Sequence, residues 1–499
     1  MMKEGRTEEI PDKKHTLFAF VYQSLLEQIM AGRLAYGGRL PSMKELCGIY
    51  HVSMRTVRDV LAALKKDGYI WTEERKPAMV ICRRDAENKR DLNIRDVLSE
   101  RVSIFEVYET MAVLMPRLFS VSAAFCSTED FIKYDSAIKR GAKKDINRTW
   151  RVTSAVFYDI LEKSNNLLFN DLYTSMELYT QIPAAACSED EHPFRERESR
   201  ERIDRIRDMV NSLKRNYLPE VEEKFAVIYR RAAEAVREYG NQQPEKETGQ
   251  GAGRKVSYVW NPEKRRTYLY MHIGRELIKK IGTGEYPAGS LIPPEAALAR
   301  EYGVSLATVR KAAAMLNELG FAQTVNGKGT YAKLPDKGFP VHFLEKETYR
   351  QDLMLYVSAL QFMAVSIGPA VFQAFDGIDL ELTERRLKKR RREGELPIAV
   401  LTGTVIENIP LEPMKEIFVK LERLLQRGYY LFFFRYGNRS LNTLRQRSLA
   451  AVHYLQIKDK KGFAEELASG YRGILKSVRE FALEYGVEEA RGITVPSAF

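Results

Sequence analysis

Two stretches of the chain carry side chains suited to contact with a polyanion. The first places Lys44 ahead of Ser53, Met54, Arg55, Thr56 and Arg58, with Arg75 and Lys76 further on; the second places Ser305, Leu306, Ala307, Thr308, Arg310 and Lys311 ahead of Lys328. A guanidinium can grip guanine O6 and N7 bidentately, worth about 1–3 kcal/mol of discrimination, while lysine, serine and threonine suit phosphate oxygens. Leucine and alanine offer a base edge only methyl or shape contact, so the two stretches are expected to read different sequences. Bond-making chemistry is not indicated: the chain has no P-loop, no G-x-S-x-G and no HExxH. The histidines, His15, His51, His192, His272, His342 and His453, are too dispersed for a metal triad, and Cys47, Cys82, Cys126 and Cys187 form no CxxC pair. The expectation is a non-enzyme without metal or cofactor, in a reducing cytoplasm.

The elements that position these residues follow from a repeat. The segment from Arg39 to Tyr69 aligns without a gap on Leu291 to Phe321: Pro41 falls on Pro293, Val52 on Val304, Arg58 on Arg310 and Gly68 on Gly320, an offset of 252 each time. The offset persists at Met111-Ala112-Val113 and Met363-Ala364-Val365, and shortens slightly at Val236-Arg237-Glu238 and Val478-Arg479-Glu480. Between the copies, the stretch from Asn241 to Lys255 is rich in Gly, Gln and charge without an apolar period, a linker composition. With 499 residues, 44% hydrophobic and 29% charged, the chain has the composition of a multidomain globular protein. Its net charge of +12 favours a polyanionic partner.

Each copy begins with an amphipathic helix, through Val21, Leu25, Leu26 and Ile29 or Tyr270, Ile273, Leu277 and Ile281. A second helix is predicted over Met43 to Tyr50 or Glu295 to Tyr302, opened by proline. A third follows Ser53 or Ser305 as N-cap, with Val57, Val60, Leu61 and Leu64 as the buried face of the first copy, and ends at Gly68 or Gly320. Short apolar runs then read as hairpins: Tyr69 to Trp71 with Met79 to Ile81, and Phe321 to Val325 with Thr330 to Ala332 across the turn signal Asn326-Gly327-Lys328-Gly329. This is the order of a winged helix-turn-helix, whose third helix presents its first side chains to base edges while the second helix and wing meet phosphates.

On those residues the sequence resembles the GntR family of bacterial transcription regulators, whose winged module runs through G-x-L-x-x-G-x-x-L-P, V-S-x-x-T-V-R and a G-x-G-T wing. Gly32 to Pro41, Val52 to Arg58, Gly284 to Pro293, Val304 to Arg310 and Gly327 to Thr330 carry the match. Family members often hold arginine on the second helix and at the third residue of V-S-x-x-T-V-R; here those places hold Lys44 and Met54, or Ala296 and Leu306. The longer modules have helical periods, with Val107, Met111, Leu114 and Leu118 on one face, then Phe157, Ile160, Leu161 and Leu167, Leu168, Leu172, which predicts all-helical bundles. Val156 to Leu168 looks like part of the FCD effector domain of FadR-type members. That resemblance implies a metal held by one aspartate and three histidines, but the matching places hold Ser154, Tyr158, Ile206 and Arg231.

The apolar stretch from Leu353 to Phe375 aligns with a charged counterpart carrying Glu106, Glu109 and Arg117, and is therefore expected to be a buried soluble helix interrupted near Gly368-Pro369. Its Ser358, Gln361, Ser366 and Gln373 suit a helix-helix seam better than a ligand pocket. The basic runs Arg195 to Arg207 and Lys388 to Arg392 read as solvated helix faces, with the second also able to touch DNA backbone. The N-terminus lacks the apolar core of a signal peptide.

The predicted architecture is mainly α: winged helices at 15–84 and 264–334, helical effector or dimerisation modules at 91–240 and 345–487, and a linker at 241–263. The resemblance implies a transcription regulator in which two fused copies form a pseudo-dimer on an asymmetric operator. Its expected partners are double-stranded DNA and a small-molecule effector of unassigned identity, with no membrane and with further homodimerisation left open. The alternatives are a non-enzymatic sensor or interaction protein whose winged helices bind protein, or a scaffold role for one copy, the second.

Overall fold

The computed structural model describes residues 17–30, 34, 37–50, 52–73, 77–81, 104–141, 146–180, 196–215, 218–241, 258–262, 269–336, 338–392, 396–434 and 438–496. Each half opens with the module that the repeat predicts. In the first, α1 (Leu17–Met30), α2 (Met43–Tyr50) and α3 (Met54–Lys66) precede β1 (Ile70–Trp71) and β2 (Met79–Val80). Val21, Leu25 and Ile29 of α1 meet Val57, Val60, Leu61 and Leu64 of α3 in the core, since residues three and four apart share one helical face. The chain reverses at Gly68, whose φ of +78° belongs to the left-handed region that favours glycine after a helix. β1 and β2 are antiparallel, with Ile70 opposite Val80, and an isolated bridge joins Arg39 to Met79.

The second half is built alike, from α10 (Leu269–Gly282), α11 (Glu295–Glu301) and α12 (Leu306–Glu318) with β3 (Ala322–Val325) and β4 (Gly329–Ala332). The intervening helices are α4 (Ile104–Ala123), α5 (Thr128–Gly141), α6 (Ile146–Glu162), α7 (Phe169–Thr180), α8 (Glu196–Lys214) and α9 (Leu218–Asn241). After β4 come α13 (Glu347–Ala374), α14 (Leu380–Arg392), α15 (Pro397–Glu407), α16 (Glu412–Leu425), a 3-10 segment Gln426–Phe433, α17 (Asn438–Gln456) and α18 (Lys460–Glu484). The class is mainly α with small wing strands. The bundles correspond helix by helix: α4 packs on α9, and its counterpart α13 packs on α18. The expected face Val107, Met111, Leu114 and Leu118 is buried, as are Phe157, Ile160, Leu161, Leu168 and Leu172. Leu167 is the exception at 42% exposure; the turn after α6, where Asn165 takes φ of 51°, points it outward.

Helix α13 is long and apolar enough to cross a membrane, but its most apolar window is 83% buried within the protein, against α18, α16, α15 and α4. It runs unbroken through Gly368-Pro369, where an interruption was expected. The halves meet where α4 and α16 contact α13 and α4 respectively. Asn166 donates from Nδ2 to the Ser358 carbonyl at 3.0 Å and to Gln361 Oε1 at 2.7 Å, and the Leu167 N–H donates to Ser358 Oγ at 3.2 Å. Gln361 in turn donates to the Thr494 carbonyl at 3.0 Å, binding the C-terminal segment into the same contact.

Most of the expected linker, 242–257, lies outside the described residues. Its far end is packed: Tyr258 and Trp260 are buried, Trp260 Nε1 donates to Asp171 at 2.8 Å, and its ring lies 6.1 Å from that of Phe362. One hydrophobic core runs through both bundles and the second winged helix, whereas the first winged helix keeps a core of its own. Its α1 touches α7.

Candidate nucleic-acid interface

Both recognition helices begin with the same device. Ser53 and Ser305 are extended, with ψ of 154° and 151°, and each side-chain oxygen accepts from the backbone N–H three residues on, Thr56 at 3.2 Å and Thr308 at 3.3 Å. The hydroxyls of each serine and threonine also meet, at 3.0 and 2.9 Å. A side-chain cap satisfies one of the orphan N–H groups of the first turn and fixes where the helix starts, and so which residues face outward. In copy one these are Met54, Arg55 and Arg58, all exposed, with Thr56 half-buried in the cap. Met54 leans back on the second helix, its sulfur accepting from Cys47 Sγ at 3.3 Å.

Lys44 is exposed on α2, whose start is closed reciprocally: the Ser42 N–H donates to Glu45 at 2.7 Å and the Glu45 N–H to Ser42 Oγ at 3.3 Å. The Ser42 hydrogen bonds hold the Glu45 carboxyl below its ordinary range, so this acid is committed to the cap. Arg75 and Lys76 lie outside the described residues.

In copy two, Leu306, Ala307, Arg310 and Lys311 are exposed, and Thr308 is half-buried in the cap. Arg310 differs from its counterpart in having an acid: its Nε donates to Glu295 Oε2 on α11 at 2.8 Å. The equivalent of Glu295 in copy one is Met43, and among the described residues no carboxylate pairs with Arg58. Sequence reasoning passed over Glu295, although the offset of 252 set it opposite Met43.

Lys328 stands exposed at the wing tip, in a turn closed by its N–H donating to the Val325 carbonyl at 3.0 Å, with Gly327 at φ of +73°. Asn317 braces that wing: it donates to Thr324 Oγ1 and accepts from the Thr324 N–H, both at 2.9 Å. The wing is thereby held at a set angle to the recognition helix.

The second winged helix is fixed to its bundle by a buried ion triad. Asp352 of α13 accepts from Arg275 of α10 on one oxygen and from Arg427 of the 3-10 segment on the other, and all three side chains are 10% exposed or less. Phe321 contacts Phe433 and Phe434 edge-on at 5.1 and 5.9 Å, and Phe339 meets Phe434 and Phe481 at 5.2 and 5.1 Å. Copy one has Gln23 where copy two has Arg275.

In the first bundle, Ser154 and Tyr158 both donate to buried Glu177, Tyr158 at 2.6 Å. Two hydroxyls around one carboxylate make a neutral-donor cluster rather than a set of imidazole ligands. Ile206 is a core residue and Arg231 faces solvent, paired with Glu234 at 3.0 Å. Among the described residues no three His, Cys, Asp or Glu side chains are grouped to hold a metal ion. Of the polar residues on α13, Ser358 and Gln361 belong to the contact between halves, Ser366 donates to its own helix at Phe362, and Gln373 is exposed. In the basic runs, Arg205 and Arg207 pair with Glu201 and Asp204, while Lys388, Lys389 and Arg390 are exposed.

Residues 17–80 and 269–332 each match the family described as bacterial regulatory proteins, gntR family. Among curated proteins, the HTH-type transcriptional regulator SmoD of Agrobacterium fabrum is 27% identical over 152 residues, 30% of this chain and 64% of that protein. The mannosyl-D-glycerate transport/metabolism system repressor MngR of Escherichia coli is 40% identical over 65 residues, 13% of this chain and 27% of its own length. An uncharacterized HTH-type transcriptional regulator of Rhizobium meliloti is 39% identical over 74 residues, 15% of this chain and 30% of its own. The chain thus spans less than two thirds of each of these relatives. Among solved structures, E. coli McbR/YncC is similar at a TM-score of 0.25 and 19% identity, over 45% of this chain and 99% of that one. The chain carries, in tandem, two winged helix-turn-helix domains of the GntR family of bacterial regulatory proteins.

Proposed function

We propose that the chain is a sequence-specific DNA-binding transcription regulator, non-enzymatic and cytoplasmic, in which two fused copies form a pseudo-dimer reading two unlike half-sites. One observation carries the reading: two recognition helices, opened by the same serine cap and exposing different residues, sit in one chain whose bundles pack through the equivalent helices α4 and α13. Two-fold regulators bind half-sites about one helical turn apart. Fusion replaces association of subunits by a fixed effective concentration and frees the copies to diverge. Arg55, Arg58 and Lys44 suit guanine edges and phosphates; Leu306 and Ala307 suit thymine methyl groups.

The test is affinity selection of fragmented genomic DNA on the purified full-length chain, with the retained fragments footprinted at two salt concentrations. Protection of two unlike half-sites one turn apart by a single chain is the expected result. Weak, sequence-blind retention moves the winged helices to protein binding or scaffolding. A light-scattering mass of twice the chain's own at the binding concentration replaces the single-chain reading by a dimer of chains.

A further inference from the structure

The two modules keep the same cap, the same recognition-helix length and an arginine at the same position, yet among the described residues only copy two pairs that arginine with a carboxylate. In copy one, α2 begins Met43-Lys44, and its nearby acid, Glu45, is engaged with Ser42. In copy two, α11 begins Glu295-Ala296, and Glu295 holds Arg310. Arg310 and Glu295 are both well exposed, so their attraction is worth little in free energy by itself. Its consequence lies at the DNA surface. A guanidinium already facing a carboxylate neutralises no phosphate unless it lets go, and a carboxylate brought against phosphates repels them.

We propose that Glu295 is a positioning residue that withdraws Arg310 from the phosphate-neutralising set, so that copy one supplies the larger electrostatic share of binding and copy two contributes chiefly shape and methyl contact. The proposal rests on the DNA-binding reading of both modules. It assigns the unequal grip of the two halves to a single position, Met43 in one copy and Glu295 in the other. Restoring equality needs one substitution on either side.

The experiment measures binding of the full-length chain to a labelled duplex of arbitrary sequence, about 40 base pairs long so that it spans both modules. Affinity is read as a function of salt. Each phosphate neutralised steepens the log-log slope by about 0.9, which between 50 and 200 mM salt is about 3.5-fold in affinity. Glu295→Met is expected to steepen the slope by about one such step, and Met43→Glu to flatten it by about one. Arg58→Ala flattens the slope in the wild-type chain, whereas Arg310→Ala leaves it unchanged there and removes the gained step in the Glu295→Met background. That last comparison separates release of Arg310 from mere loss of a negative charge. Equal losses from Arg58→Ala and Arg310→Ala in the wild-type chain overturn the proposal, as does a Glu295→Met slope equal to that of the wild type. A wild-type chain with no salt-dependent affinity overturns the DNA reading itself and the proposal with it.

Discussion

Replacing Asn166 by alanine tests the contact between halves at its most demanding point. The Asn166 amide donates to the Ser358 carbonyl and to Gln361 Oε1, and its oxygen accepts from the Leu168 N–H at 2.9 Å, all in a site 5% exposed. The Ser358 carbonyl lies inside α13 and keeps its helical partner. Truncation therefore strands two groups, Gln361 Oε1 and the Leu168 N–H, at about 1–3 kcal/mol each, and leaves a small void. The expected loss is roughly 2–6 kcal/mol at the seam. A chain of several domains has no single unfolding transition, so the probe must be local. Trp260 provides one, being fully buried against Phe362; with Trp71 and Trp150 changed to phenylalanine it becomes the sole tryptophan. Its urea transition should move to distinctly lower denaturant in Asn166→Ala. Asn166→Ala combined with Gln361→Leu should cost less than the sum, because the stranded oxygen is gone. A shift within the range of an ordinary surface substitution, about 0.5 kcal/mol or less, would refute the account of the seam.

Other expectations follow from the same geometry. Asp352→Ala leaves two buried guanidinium groups facing each other without a counter-charge, so the second winged helix should lose about 3–5 kcal/mol of docking stability, read as faster hydrogen exchange along α10. Ser53→Ala and Ser305→Ala should each cost about 0.5–2 kcal/mol in the stability of their own module, and serine-to-glycine much less. Burial alone would raise the Asp130 carboxyl, but the ion pair with Lys163 at 2.7 Å and hydrogen bonds from the Ser127 N–H and hydroxyl bring it down to about 2. A depressed carboxyl contributes stability that is complete above its unfolded value, near 4, and lost as pH falls toward the folded value. The first bundle should therefore weaken between about pH 4 and 2 in the wild type, and Asp130→Asn should flatten that part of the profile. Burial pushes the Cys126 thiol up to about 11, so at pH 8 it should react only slowly with an alkylating reagent.

The winged modules were legible because every device that builds them is local. The serine cap, the apolar face of α3, the glycine at its end and the hairpin runs each lie within a few residues of what they control, and duplication displays them twice. The bundles were legible as helices for the same reason. What escaped were partners brought together from far along the chain. Glu177, accepting from Ser154 and Tyr158, lies one helix away from both, so the two hydroxyls were visible in the sequence while the carboxylate they meet was not. Tyr258 and Trp260 sit in a stretch whose polar composition reads as linker, and only the aromatic contacts of α7 and α13 reveal them as packed. The pairing of Glu295 with Arg310 needed the direction of two side chains on different helices.

The seam bears on why the two copies would stay fused. In a two-fold dimer of identical subunits each contact occurs twice, with the residues exchanged. Counted back from the helices that follow, α7 at Phe169 and α16 at Glu412, Asn165-Asn166-Leu167-Leu168 of the first half corresponds to Asn408-Ile409-Pro410-Leu411 of the second, and Ser358 and Gln361 correspond at the offset of 252 to Glu106 and Glu109. The reciprocal contact would thus set Ile409 and Pro410 against Glu106 and Glu109. Ile409 has no side-chain amide to offer and Pro410 has no N–H, so the hydrogen bonds made by the Asn166 side chain and the Leu167 N–H have no mirror image. A pair of second halves would bury Gln361 against Ile409, leaving a polar group unsatisfied, and a pair of first halves would bring Glu109 to Asn166 at the cost of burying a carboxylate. Of the three pairings, only the mixed one gives Asn166 the Ser358 carbonyl and Gln361 as partners. The recognition helices have diverged in what they present, and the bundle contact has diverged as well: the side of the seam made by Asn166 and Leu167 is not repeated by the other half.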